Sequence, residues 1–161
     1  MIPEEYFIND NRTEKFFSLK TFSGFLKKDL TSTFNKSLVK GDIESSCYWS
    51  SEYLVSGMHS AIYDKILTYC CKNINILNPK LPQLLYNRYN NYISSLSILA
   101  NKYGKHKIIE LRNIQTIRNH VAELSCVICQ SKKGKSLGLK KINSQYFEPQ
   151  LFQQLLKSEK D

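Results

Sequence analysis

Apolar residues recur at every third or fourth position along most of this chain, which is the spacing of amphipathic α-helices. The most regular stripe begins at Leu26 and continues through Leu30 and Phe34. No segment of strand length alternates convincingly between apolar and polar residues, so the pattern predicts an all-α fold, a single-domain bundle of about six helices. The predicted helices cover residues 25–40, 43–56, 61–72, 80–101, 108–130 and 148–158.

The second predicted helix has a recognisable start and stop. Gly41 and Gly57 are suited to end helices, and Asp42 is a typical N-cap residue. Trp49, the only Trp of the chain, is predicted to anchor the helix through its ring. Five small side chains in the same helix would let neighbouring helices approach closely. They are Ser45, Ser46, Cys47, Ser50 and Ser51.

The chain has the length of one domain, 161 residues. At 42% apolar and 23% charged residues its composition is that of a globular protein and not of a disordered tail. Residues 1–22 are predicted to form an irregular N-terminal arm, and residues 23–161 the helical domain. Within that domain, the lysine-rich stretch 131–141 is predicted to be a flexible basic loop.

Positive charge is concentrated in the C-terminal third of the chain. The formal net charge is +9, and residues 102–141 hold eight Lys and two Arg against two Glu, a net +8. Such asymmetry favours an acidic partner, nucleic acid before membrane, although a solvated face that keeps the protein soluble would have the same composition. Flexible lysines make phosphate contacts that do not depend on base sequence. The predicted nucleic-acid contacts are Lys102, Lys105, Lys107, Arg112, Arg118, Lys132, Lys133, Lys135, Lys140 and Lys141.

Helix 43–56 is the predicted protein interface, because it presents three aromatic residues within six positions. No second carboxylate lies at a helical spacing from Glu52, so a solvent-facing or interface charge is favoured there over acid–base catalysis. The predicted interface residues are Tyr48, Trp49, Glu52 and Tyr53.

Two cysteine pairs offer a possible metal site. Cys70–Cys71 and the C-x-x-C of Cys126 and Cys129 could together supply four thiolates for zinc. The C-x-x-C falls on an apolar helix, however, whereas structural zinc sites usually place this motif on a turn. Buried thiols that act as small hydrophobes are therefore the favoured interpretation, and no metal or cofactor is predicted.

Catalytic and nucleotide-binding motifs are not recognised. His59, His106 and His120 are scattered along the chain, and His120 is predicted to face outward. The stretch KKGKS at 132–136 is similar to the end of a P-loop, but Cys129 stands where the motif requires its first glycine. The segment before it is also predicted to be a helix, where a P-loop needs a strand. This mode of nucleotide binding is therefore excluded.

The sequence also predicts the compartment. Its beginning, MIPEEYFINDNR, lacks the basic-then-apolar order of a secretory signal. No apolar run approaches the roughly 18 residues that a membrane-spanning helix needs. Together with an odd number of cysteines, these features predict an intracellular protein with reduced thiols and no membrane association.

Several short motifs occur in a familiar order. In FNKSLVKGDIESSCYWSSEYLVSG, a Lys-Ser pair is followed by a Gly-Asp turn, then by a Tyr-Trp helix and a closing glycine. Asn78-Pro79 comes later in the chain. This order resembles the helical segment after the ATPase module in the RarA/MgsA branch of clamp-loader-like AAA+ proteins. In that family the helical domain makes oligomer contacts at replication forks, which implies a packing or oligomer role for Trp49. The ATPase module has no counterpart here, so the resemblance implies no activity.

A longer stretch has a second resemblance. Over roughly residues 15–130, the chain is similar to an uncharacterised protein family of large, AT-rich DNA viruses of protists and algae. The similar stretch runs from TFSGFLKKDL through YWSSEYLVSG to NPKLPQLLYNRY. That similarity implies a setting in the host cytoplasm, in a virus factory or in the virion. It implies no assigned activity.

Together these features predict a non-enzymatic helical adaptor or oligomerisation module in viral DNA replication, repair or packaging. Its predicted partners are nucleic acid and one or more proteins, which include a second copy of the chain. The alternative function is a minor structural protein of the virion. A third hypothesis is an enzyme with a cysteine-based site that forms only in the fold.

Overall fold

The computed structural model describes residues 7–13, 15–103 and 105–138, leaving aside the side chains of 75, 99, 102, 103 and 105–108. Within these ranges the chain forms five α-helices and no strand, which confirms the all-α prediction. Helix α1 spans Lys27–Lys40, α2 spans Ile43–Val55, α3 spans His59–Asn73, α4 spans Leu81–Tyr103 and α5 spans Gln115–Gln130. The predicted sixth helix, 148–158, lies outside the described residues.

The turn between α1 and α2 forms as the sequence indicates. Gly41 has a φ of 72°, and its N–H donates to the Leu38 carbonyl at 3.2 Å. A side chain at Gly41 would also meet the Cys129 carbonyl oxygen at 3.1 Å, so glycine is favoured by both conformation and space. The Asp42 carboxylate then accepts a hydrogen bond from the Ser45 N–H at 3.0 Å and caps α2.

Small side chains bring α2 close to both α1 and α5. The Ser46 hydroxyl donates to Ser37 Oγ at 2.9 Å, and Cys129 Sγ lies 3.0 Å from Ser46 Oγ. Beside them, Cys47 Sγ and Cys126 Sγ are 3.8 Å apart. The predicted close approach of helices at α2 is therefore present, and Ser46 is fully buried at the point where the three helices meet.

The apolar core lies among these helices and α3. Most of its fully buried members come from α1, α3 and α5 at helical spacing, and Tyr53 and Leu54 of α2 also belong to it. Burial of this many aliphatic side chains is the main force that holds the helices together. The fully buried aliphatic and aromatic side chains of the core are Leu30, Phe34, Leu38, Ile62, Ile66, Ile74, Leu111, Ile117, Val121, Leu124 and Ile128.

The fifth predicted helix is shorter than its apolar spacing suggested. Only Gln115–Gln130 is α-helical, and Lys105–Asn113 forms a 3₁₀ helix instead. Ile114 is extended, with φ −95° and ψ 112°, and separates the two segments. The cause is tertiary, because the Asn113 side chain exchanges two hydrogen bonds with the backbone of Ile8 in the N-terminal arm. Those bonds hold the end of the 3₁₀ helix against the arm.

The described residues of the N-terminal arm, 7–13 and 15–22, form no helix and are attached to the domain by hydrogen bonds. Phe17 is buried, and the guanidinium of Arg12 lies over its ring at 4.9 Å from the centroid. Further along, the Glu52 carboxylate accepts hydrogen bonds from the Ser23 N–H at 2.7 Å and from the Ser23 hydroxyl at 2.9 Å. The prediction that Glu52 faces solvent or a partner is therefore wrong, since this buried carboxylate binds Ser23, the residue that directly follows the arm.

None of the helices within the described ranges combines the length and the hydropathy needed to cross a bilayer.

The contact among α1, α2 and α5 predicts a large cost for added volume at Ser46. Replacing Ser46 by Leu should lower the free energy of unfolding by roughly 1–3 kcal/mol or more, because α1 and α5 leave no room for the larger side chain. The matched control is Ser51→Leu on the exposed side of the same helix, which should change it by about 0.5 kcal/mol or less. Urea titrations followed by circular dichroism measure both. Equal effects of the two substitutions would contradict this description of the contact.

Candidate functional site

Three aromatic rings form an exposed row on the outer side of α2. Phe25 and Trp49 meet edge to face with ring centroids 5.1 Å apart, and Tyr48 and Trp49 do so at 4.9 Å. Tyr48 is 51% exposed and Phe25 is 37% exposed, whereas Trp49 is half-buried and packs against the core. We call Phe25, Tyr48 and Trp49 the aromatic surface. Its rings are held in place by one another and by a helix that is packed on its other side.

Tyr53, another predicted interface residue, instead faces the interior together with Glu52. Tyr53 is 2% exposed, its hydroxyl lies 2.8 Å from Thr31 Oγ1, and its ring meets Phe34 edge to face. Burial raises the pKa of Tyr53, although the hydrogen bond with Thr31 acts in the opposite direction. Positions 46, 50 and 53 form the buried stripe of α2, so Tyr53 belongs to the core and Tyr48 does not.

Arg112 is buried, in contrast to its predicted role as a phosphate contact. Its Nη1 donates to the Val55 carbonyl at 3.2 Å and its Nη2 to the Asp10 carbonyl at 2.7 Å, and none of the residue is exposed. The prediction for Arg112 is therefore wrong, because this side chain joins the end of α2 to the N-terminal arm. Arg118 is half-buried and donates from Nε to the Arg112 carbonyl at 2.6 Å. Burial lowers the pKa of Arg118, and the neighbouring Arg112 charge adds to that effect.

The first part of the predicted basic loop is attached to α3. The Gly134 N–H donates to the Asn73 carbonyl at 2.7 Å, and the Leu137 N–H donates to the Lys72 carbonyl at 2.8 Å. These bonds satisfy carbonyls at the end of α3 that the helix itself leaves unpaired. Residues 131–138 therefore form no helix or strand and are joined to the end of α3 by these two bonds.

The lysines of this segment have two different environments. Lys133 Nζ donates to the Cys129 carbonyl at 2.6 Å and to the Ser131 carbonyl at 3.2 Å, so it caps the last turn of α5. Lys132 and Lys135 are exposed and point to solvent. The other predicted contacts lie outside the described residues. They are the side chains of Lys102, Lys105 and Lys107 and the whole of Lys140 and Lys141.

Three of the cysteines lie beside polar or thiol groups: Cys47 beside Cys126, and Cys129 beside Ser46. Burial raises the pKa of Cys47 to about 11, and the hydrogen bond with Cys126 acts in the same direction. Burial raises the pKa of Cys70 to about 12. Such thiols stay protonated at neutral pH and are poor nucleophiles. No group of three His, Cys, Asp or Glu side chains that could hold a metal ion occurs in the part of the chain that the structure describes.

Two histidines are buried in the domain. His59 is 1% exposed, and burial lowers its pKa to about 4. His120 is 8% exposed, so the prediction that it faces outward is wrong. Burial also lowers the pKa of His120, and the charge of Arg88 acts in the same direction. The core therefore covers a wider part of α5 than its aliphatic stripe indicates.

A third surface feature was not predicted. An apolar groove of about 410 Å³ lies between α3 and the first half of α4. The signal was present in the sequence, because both helices have apolar residues at positions outside the stripe that packs into the core. The α3–α4 groove is lined by Tyr63, Asp64, Leu67, Cys70, Cys71, Leu81, Pro82, Leu85, Tyr86 and Tyr89.

No family model, no curated protein and no solved structure matches this chain.

The buried histidine predicts a loss of stability in mild acid. The folded-state pKa of His59, about 4, lies below its ordinary value of 6.5, so the unfolded chain takes up a proton at a higher pH than the folded chain. The free energy of unfolding should therefore fall as the pH drops from about 6.5 towards 4, by up to roughly 1.4 kcal/mol per pH unit.

Urea titrations between pH 7 and pH 4 measure this dependence. The variant His59→Asn has no group that titrates in this window at position 59, so its stability should fall less steeply with pH than that of the wild type. Parallel pH profiles of the two proteins would show that His59 is not the group responsible.

Proposed function

We propose that this chain is a non-enzymatic helical adaptor that binds a protein partner through the aromatic surface and nucleic-acid phosphates through the lysines that follow α5. The observation on which the proposal depends is the row of Phe25, Tyr48 and Trp49. Large aromatic residues dominate the binding energy of protein interfaces. Here Tyr48 and Phe25 are exposed, and Trp49 between them is packed against the core.

The rigidity of α2 supports a binding role for these rings. Ser46 is fixed between α1 and α5, and Trp49 packs against the core beneath the exposed rings. Side chains that are already ordered lose little conformational entropy when they bind. The similarity to the clamp-loader-like helical domains also favours an oligomer contact at this helix, so the partner proposed first is a second copy of the chain.

The nucleic-acid part of the proposal depends on charge and exposure. Lys132 and Lys135 are exposed on a backbone that is fixed by two hydrogen bonds to α3. They lie within the part of the sequence that holds a net charge of +8. Lysines in this arrangement contact phosphates without reading bases. A role in the replication, repair or packaging of the DNA of a large virus follows from the sequence similarity and is part of this proposal.

Substitutions in the aromatic surface should weaken self-association without unfolding the chain. We expect Phe25→Ala combined with Tyr48→Ala to cost about 2 kcal/mol of association free energy, roughly a 30-fold weaker dimer. The control is Val39→Ala on α1, which is also exposed but lies apart from the three rings in sequence. Sedimentation equilibrium over a concentration series measures the effect. A chain that stays monomeric at every concentration would exclude the second copy as partner.

Salt dependence tests the nucleic-acid part. The double variant Lys132→Gln and Lys135→Gln should reduce the slope of log K against log salt by about 2, because each phosphate contact contributes about 0.9. Lys28→Gln with Lys36→Gln on α1 makes the same change in net charge and should leave most of the slope intact. Fluorescence anisotropy with single- and double-stranded DNA measures the slope. Absence of binding at low salt would refute this part.

A further inference from the structure

Two cysteine side chains meet where α2 packs against α5. Cys47 Sγ and Cys126 Sγ are 3.8 Å apart, although the two residues lie 79 positions apart in the chain. All five cysteines belong to the described residues, and this is the one pair of thiols among them that is in hydrogen-bonding contact. Neither side chain has a part in the proposed function, so the contact needs its own explanation.

Both members of this pair are accessible to a reagent in solution. Cys47 and Cys126 are half-buried, whereas Ser46 and Cys129, which meet in the same helix contact, are buried. The pair therefore lies at the rim of the contact between α2 and α5. A small molecule can reach its sulfurs without separating the two helices.

The two cysteines of the C-x-x-C motif have different environments. The Cys129 thiol is 3.0 Å from Ser46 Oγ and donates to the Asp42 carbonyl at 3.6 Å, so it is used in packing the start of α2. Cys126 lies one turn earlier on α5 and contacts Cys47 instead. A bond within the motif would require Cys129 to leave both of its contacts. The favoured partner of Cys126 is therefore on the other helix.

A disulfide bond requires the two sulfurs to move closer together. Its length is about 2.05 Å, so Cys47 Sγ and Cys126 Sγ would approach each other by roughly 1.8 Å. Rotation about each Cα–Cβ bond changes the position of the sulfur while the backbone stays in place. The folded chain therefore holds the two thiols near bonding distance before an oxidant arrives.

We propose that Cys47 and Cys126 form a reversible disulfide by exchange with a small-molecule disulfide such as oxidised glutathione. The thiolate of one cysteine attacks a glutathione sulfur, which gives a mixed disulfide and releases one glutathione thiolate. The second cysteine then loses its proton and attacks the protein sulfur of the mixed disulfide, which releases the other glutathione. Two protein thiols are oxidised, one glutathione disulfide is reduced to two thiols, and the two protons pass to the released thiolates.

The bond would join α2 to α5 covalently at the helix contact that encloses the core. Because its two ends are far apart in the chain, it would remove many conformations of the unfolded state. The oxidised protein should therefore melt at least about 5 °C higher than the reduced protein. This inference goes beyond the proposed function and does not depend on it, since it involves neither the aromatic surface nor the lysines after α5.

The test is to equilibrate the full chain in mixtures of reduced and oxidised glutathione, both folded and in urea. The fold must favour the bond by as much as the bond favours the fold. The equilibrium constant for the Cys47–Cys126 bond should therefore be about 30-fold or more larger in the folded chain. Burial raises the pKa of Cys47 to about 11, which slows exchange at neutral pH, so the mixtures are kept near pH 8 until the yield is constant.

Single substitutions separate this pair from the other cysteines. Cys47→Ser and Cys126→Ser should form no cross-link and should keep glutathione on the remaining thiol of the pair, because no neighbouring thiol displaces it. The control Cys71→Ser removes an exposed thiol of α3 and should form the bond in the same yield as the wild type. Peptide mass spectrometry after alkylation of the free thiols identifies the cysteines that are joined, and circular dichroism follows the melting.

Equal equilibrium constants in the folded chain and in urea would overturn the proposal, since the fold would then not favour the bond. A bond from Cys126 to Cys129 would also overturn it, because the motif itself would then be the reactive pair. A yield that rises with protein concentration would show that the bonds form between chains. Formation of the bond without a rise in melting temperature would contradict its effect on the contact between α2 and α5.

Discussion

The close contact of α2 with α1 and α5 is the constraint on which the rest of the structure depends. Ser46 lies where the three helices meet, hydrogen-bonded to Ser37 and in contact with Cys129. A larger side chain there would force the helices apart and open the core that they enclose. The glycine turn serves the same contact, because a side chain at Gly41 would meet the Cys129 carbonyl oxygen at 3.1 Å, a tight distance.

This packing explains why several charged residues have structural roles. Glu52 and Arg112 are buried, and both connect the helical domain to the irregular segment before α1. Each satisfies backbone groups that no helix could pair, so the charge stabilises the attachment of the arm. Lys133 does the same at the end of α5. Fewer charged side chains are therefore available to bind a partner than the sequence alone suggests.

Two kinds of surface remain after these charges are assigned to the structure. The aromatic surface and the exposed lysines after α5 present groups that the fold itself does not use, and we connect them with a protein and with nucleic acid. The α3–α4 groove has a different character, since its lining is mainly apolar.

The sequence by itself determined the helical class, the turn at Gly41 and Asp42, and the small residues of α2, because these depend on local periodicity and on short-range chemistry. The positions of Glu52, Tyr53 and Arg112 could not be predicted, since a charged or aromatic residue on a helix can face either way. The partner that decides its direction, such as Ser23 for Glu52 or Asp10 for Arg112, lies far away in the chain. Only tertiary structure brings such partners together, and it also decided where the helix after Asn113 begins.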